Sequence, residues 1–154
     1  MNAREEYEKL RKEYKMPKLK ELENIFAFRL SKDSETPLFD ISKGILESIE
    51  YAQEILESLL FLNEGSKPSH FYEARFIDKK KCFHSYRKIL ELRWMYITTY
   101  FNSNESALVN FIKKSYTVWV KNVKDNLIEL GDKMIKGWKS YREGKEKEKQ
   151  TYLG

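Results

Sequence analysis

The residue types that most often carry chemistry are sparse in this chain. His70 and His84 are its two histidines and Cys82 its single cysteine. A tetrahedral metal site needs four converging ligands. On a helix, Cys82 and His84 stand about 200° apart and face away from each other. His70 and Glu73 can share a face, but two ligands do not make a site. No metal or other cofactor is expected; Cys82 reads as a small buried residue and the histidines as peripheral. Glu47, Glu50, Glu54 and Glu57 follow one another at spacings of three, four and three, which lines their carboxylates along one helical face. Di-iron bundles pair such carboxylates with Glu-x-x-His on facing helices, and the chain has no such pair. The row therefore reads as an acidic face turned to solvent or to a basic neighbour. There is no glycine-rich phosphate loop, no ordered Ser-His-Asp set and no zinc-finger spacing. No catalytic residue is predicted, and an enzyme is not expected.

The richest pattern lies between Arg75 and Tyr100. Arg75, Lys79, Lys80, Lys81, Arg87, Lys88 and Arg93 are interleaved there with Tyr72, Phe76, Phe83, Tyr86, Trp94, Tyr96 and Tyr100. Arginines beside aromatics anchor protein interfaces; they also clamp phosphates and stack on bases. The predicted partner-binding surface comprises Arg75, Lys79, Lys80, Arg87, Arg93 and Tyr96. A protein partner is expected, with RNA or DNA on the same basic helix as the alternative. Self-association as a homodimer is also open, because long amphipathic helices with exposed aromatics often dimerise. Against a binding role, Phe76, Phe83 and Trp94 fit a core stripe; Tyr96 lies off it.

These residues sit on a helical apolar rhythm that runs from Ile45 to Tyr141. It is punctuated at Asn63-Glu64-Gly65-Ser66-Lys67-Pro68 and at Asn102-Ser103-Asn104. Residues 3–15 predict a short amphipathic helix that Met16-Pro17 ends, since the residue before proline is pushed out of the α region. Pro17 suits the first turn of a second short helix carrying Leu19, Leu22, Ile25 and Phe26. The first long helix is predicted over 38–62, with Ile45, Ile49, Ala52, Leu56 and Leu59 stepping by fours and threes. The second is predicted over 69–101, capped by Ser69, with a stripe of Phe76, Phe83, Leu90 and Ile97 reinforced by Tyr86, Trp94 and Phe101. The third spans 105–143, with Leu108, Ile112, Trp119, Val123, Leu127, Leu130, Met134, Trp138 and Tyr141 on one face. Gly131 and Gly137 each cost about 1 kcal/mol against alanine, so a bend is expected near them. Residues 144–154 read as a frayed, solvated tail. The predicted fold class is all-α: an antiparallel bundle of three long helices with two short N-terminal helices over 1–30, in one domain spanning 1–154.

Bulk properties agree with long thin helices. Charged residues make up 34% of the 154 against 41% hydrophobic, the balance expected when each helix buries one stripe and exposes the rest. The charged start implies no secretory leader, no stretch is long and apolar enough for a spanning helix, and one cysteine suits a reducing compartment. A cytoplasmic protein is expected. Net charge is +5, but it is unevenly spread. Residues 31–65 hold two basic side chains against eight acidic ones, and residues 66–102 hold eight against three. An acidic helix followed by a basic one suggests antiparallel neighbours whose charges match inside the molecule.

Two resemblances accompany this pattern. Tyr14-Lys15-Met16-Pro17 with Leu19, Leu22 and Phe26, then Glu73-Ala74-Arg75-Phe76, Arg87-Lys88-Ile89-Leu90, and Glu105 leading to Phe111-Ile112 and Trp119, resemble an uncharacterised all-helical family found mainly in archaea. This covers most of residues 7–141 and implies a cytoplasmic α-helical protein, with no activity to carry over. Lys79-Lys80-Lys81-Cys82-Phe83-His84-Ser85-Tyr86 and Leu90-Glu91-Leu92-Arg93-Trp94 resemble the helical domain of GINS subunits of the replicative helicase assembly, over roughly residues 70–120. That resemblance implies a scaffold role in DNA replication. GINS subunits usually add a small β-domain, whereas the helical pattern here runs nearly to the chain's end.

Overall fold

The structure is a computed structural model and describes residues 1–141; the predicted tail over 144–154 lies outside the described residues. Helix α1 (Ala3–Tyr14) starts at Asn2, whose side chain accepts the Glu5 N–H at 3.0 Å. Glu5 and Glu6 in its first turn and Arg11 and Lys12 in its last complement the helix dipole. Helix α2 (Leu19–Phe26) follows. Pro17 stands ahead of α2 rather than in its first turn, and its carbonyl accepts the buried Tyr7 hydroxyl at 2.6 Å. Helix α3 (Pro37–Leu60) does begin on a proline, where the missing N–H costs nothing.

The segment predicted as one helix over 69–101 is broken. A short helix α4 (Pro68–Glu73) and a 3-10 turn (Ala74–Phe76) come first, and Ile77 is extended at φ −81° and ψ 148°. Helix α5 (Lys79–Asn102) then restarts at Asp78, whose carboxylate accepts the Lys81 N–H at 3.2 Å. The cap is thus Asp78 and not Ser69, which lies inside α4. The segment predicted over 105–143 comprises α6 (Glu105–Val118), a π turn (Trp119–Val123) and α7 (Lys124–Tyr141). Its irregularity falls at the π turn and not at Gly131 or Gly137. The turn has a partner: Ser85 on α5 donates its hydroxyl to the Asn122 carbonyl at 2.7 Å and accepts from Asn126 at 2.8 Å. A π turn loosens the main-chain ladder locally, and here α5 takes up the carbonyl.

Among the described residues the fold is all-α, as the periodicity predicts. Helices α3, α5 and α6 pack together at the centre. Ile41, Ile45, Ile49, Leu56, Ile89 and Ile112 are fully buried between them. The N-terminal pair belongs to the same core through Tyr7, Leu22 and Phe26. The Phe26 ring stands 5.1 Å from that of Trp119. None of the described helices is long and apolar enough to cross a membrane.

Candidate interaction surface

Helix α5 buries a different stripe from the one predicted. Its inward face is Cys82, Ser85, Ile89, Leu92, Tyr96 and Thr99, five of them buried and Tyr96 packed against the core. These step by three, four, three, four and three, the seam spacing of a helix packed between two others. Small Cys82, Ser85 and Thr99 sit at positions where larger side chains would hold the neighbouring helices apart. The predicted stripe therefore rotates outward. Trp94 is 61% exposed, Phe101 80% and Phe83 42%, with half-buried Leu90 and Ile97 between them. Phe61 at the end of α3 extends the patch, its ring 5.7 Å from Phe83 and 5.4 Å from Tyr86.

Basic side chains border this apolar ridge. Lys79, Lys80 and Arg87 are exposed, and Lys88 meets Glu91 at 3.6 Å. Lys81 is taken by Glu129 of α7 at 3.1 Å; that contact, with Lys133, holds the Glu129 carboxyl below its ordinary range. Arg93 flanks a polar contact between α3 and α5, where the Tyr86 hydroxyl donates to Glu57 at 2.7 Å and Gln53 donates at 3.0 Å. The Tyr86 bond, then the Gln53 bond, keep the Glu57 carboxyl below its ordinary range. Burial and the same bond push the Tyr86 phenol up to about 12.

The six predicted binding residues divide accordingly. Lys79, Lys80, Arg87 and Arg93 lie on α5 beside the ridge. Arg75 precedes the break, in the 3-10 turn, with its guanidinium over the Tyr72 ring at 5.7 Å; it belongs to the corner between α4 and α7. Tyr96 faces inward, its ring 5.5 Å from that of Phe111. Lying off the predicted stripe marked Tyr96 as core, because the stripe itself is the surface. Phe83, Trp94 and Phe101, which fit a core stripe by spacing, are open to solvent. The competing three-four rhythm beginning at Cys82 was the signal that could have exposed them.

The expected charge match between α3 and α5 takes another form. Among the described residues no ion pair joins the two helices. Within the acidic row Glu57 bonds α5, through a tyrosine; Glu47, Glu50 and Glu54 are exposed. Beside them runs a groove of about 510 Å³ between α3 and α7. Tyr51 and Ile55 form its α3 wall, and Leu127, Gly131 and Met134 its α7 wall. His70 and Glu73 close one end, the latter accepting from Trp138 Nε1 at 2.8 Å. No group of three or more His, Cys, Asp or Glu side chains among the described residues could hold a metal ion. No family model, curated protein or solved structure matches the chain.

Proposed function

We infer that this chain is a non-catalytic helical interaction module that captures a protein partner on the outward face of α5. The observation that carries the reading is the ridge of Phe83, Trp94 and Phe101, exposed beside Lys79, Lys80 and Arg87. Large aromatics open to water lose favourable burial that a partner restores, at roughly 25 cal/mol per Å² of apolar surface covered. Trp and Arg are also the side chains that most often dominate interface energetics. Arg75 and Tyr96 drop out of the surface, and the three aromatics replace them.

The same arrangement suits a nucleic acid, because an exposed indole beside arginine offers a stacking platform within a positive field. One experiment separates the readings. The tagged protein is used to capture partners from its native lysate, with and without nuclease, beside the double variant Arg87→Glu/Trp94→Ala. The expected result is a defined protein that survives nuclease and is lost with the variant, whose circular dichroism stays unchanged. A partner lost only with nuclease, with affinity falling steeply in salt, assigns the surface to RNA or DNA. Recovery inside a stable heteromeric replication assembly makes the protein a GINS-like scaffold subunit. Capture unaffected by the variant removes α5 from the reading.

A further inference from the structure

The molecule leaves two elongated surfaces uncovered whose chemistries complement each other. One is the α5 ridge, convex, apolar and bordered by Lys79, Lys80, Arg87, Lys88 and Arg93 against the single acid Glu91. The other is the groove between α3 and α7, concave and apolar, with Glu47 and Glu54 on its α3 rim. Tyr51, which lines the groove, lies four residues after Glu47 and three before Glu54, so these carboxylates share its side of the helix. Neither Glu47 nor Glu54 has an ion-pair partner among the described residues. Their charge is therefore available to a basic visitor.

We propose that the α5 ridge of one copy of this chain docks into the α3/α7 groove of a second copy, giving head-to-tail assembly. This deepens the reading of α5 as an interface by naming its occupant. Two features of the molecule support the match. Shapes agree: a Cβ built on Gly131 meets nothing within 4 Å, so the α7 wall is open where an indole such as that of Trp94 would enter. Charges agree: the basic border of α5 meets the acidic rim of α3. A symmetric α5-to-α5 dimer would instead set two basic borders against each other, which costs affinity. The contact is heterologous, so copies close into a ring or continue as a filament, depending on the rotation between them.

Complementing variants of the full-length chain provide the test, with masses measured by sedimentation velocity from micromolar to millimolar. Wild type should form species larger than a dimer as concentration rises, weakening with salt. Gly131→Leu fills the groove and keeps the ridge; Trp94→Ala removes the ridge anchor and keeps the groove. Each variant alone should associate about tenfold or more weakly than wild type. Mixed, they retain one good ridge and one good groove, and should give a one-to-one heterodimer that grows no further. Glu47→Lys/Glu54→Lys reports on the same groove without filling it and should match Gly131→Leu. Wild type that stays monomeric at millimolar concentration overturns the assembly, while partner capture by α5 keeps its own test. Association lost with Trp94→Ala but untouched by both groove variants also overturns it and assigns the contact to α5 alone.

Discussion

At the scale of single residues, a fastening of four polar bonds lies far from the ridge. Arg4 on α1 grips Glu23 on α2 with two guanidinium bonds at 2.8 and 2.9 Å, and donates to the Leu30 carbonyl at 3.1 Å. The Leu30 N–H returns a bond to the same carboxylate at 2.8 Å. Paired, largely desolvated charges leave each other stranded when one is removed. Glu23→Ala should therefore cost about 1–2 kcal/mol in urea unfolding, a range held low because Arg4 keeps some contact with water. The Arg4 bond, helped by the Leu30 N–H and opposed by burial, holds the Glu23 carboxyl below its ordinary range. A depressed folded pKa stabilises fully above the unfolded value of about 4.3 and is lost as pH falls through the folded one. Wild type should thus lose stability on acidification below about pH 4, and Glu23→Gln should flatten that part of the curve. An unchanged acid slope in the variant would show that Glu23 does not carry it.

At the scale of elements, most of the helices were legible in the sequence, and the errors have physical causes. Helix α3 follows its pattern because its apolar residues are also its inward ones. Helix α5 carries two stripes, and a reading that ranks residues by hydrophobicity selects Phe83, Leu90 and Ile97 over Cys82, Ser85 and Thr99. Close packing between two neighbours selects the smaller set. The break at Ile77 was foreshadowed by Asp78, a good cap directly ahead of the lysines. The π turn was not legible, because it depends on a hydroxyl 37 residues away in sequence. Glycines at two points of α7 test this packing logic in opposite directions. At Gly131 an added Cβ meets nothing within 4 Å, so Gly131→Ala should stabilise by about 0.5–1 kcal/mol through helix propensity. At Gly137 the same atom falls 2.9 Å from the Phe76 ring. That ring packs at 5.1 Å against Tyr72, whose hydroxyl donates to the Gly137 carbonyl at 2.6 Å. Overpacking outweighs propensity there, and Gly137→Ala should destabilise by about 1 kcal/mol. Thermal melts that ranked the two variants the other way would contradict the packing.

At the scale of the whole molecule, the interaction surface needs a rigid support, and the N-terminal pair helps provide it. Helices α1 and α2 could be taken for an appendage from their length alone. Their side chains say otherwise: Tyr7, Leu22 and Phe26 are buried in the core that holds Ile41 and Ile45 of α3. Lys113 and Tyr116 of α6 extend the same attachment, donating to the Tyr14 carbonyl at 3.0 Å and to Glu21 at 2.8 Å. Elements that share one core unfold together. In urea, tryptophan fluorescence and far-ultraviolet circular dichroism should therefore give coincident transitions, although Trp119 lies under the N-terminal pair and Trp94 on the distant ridge. Removing residues 1–30 would strip the cover from Trp119 and the α3 isoleucines and expose a contiguous apolar face. The shortened chain should keep helical circular dichroism, bind a hydrophobic dye and unfold without a sharp transition. It should also lose partner capture with residues 79–102 intact, because α5 holds its outward angle only while α3 and α6 are in place behind it. A sharp transition in the shortened chain, with capture preserved, would make α1 and α2 a separate module and the remaining helices a sufficient platform.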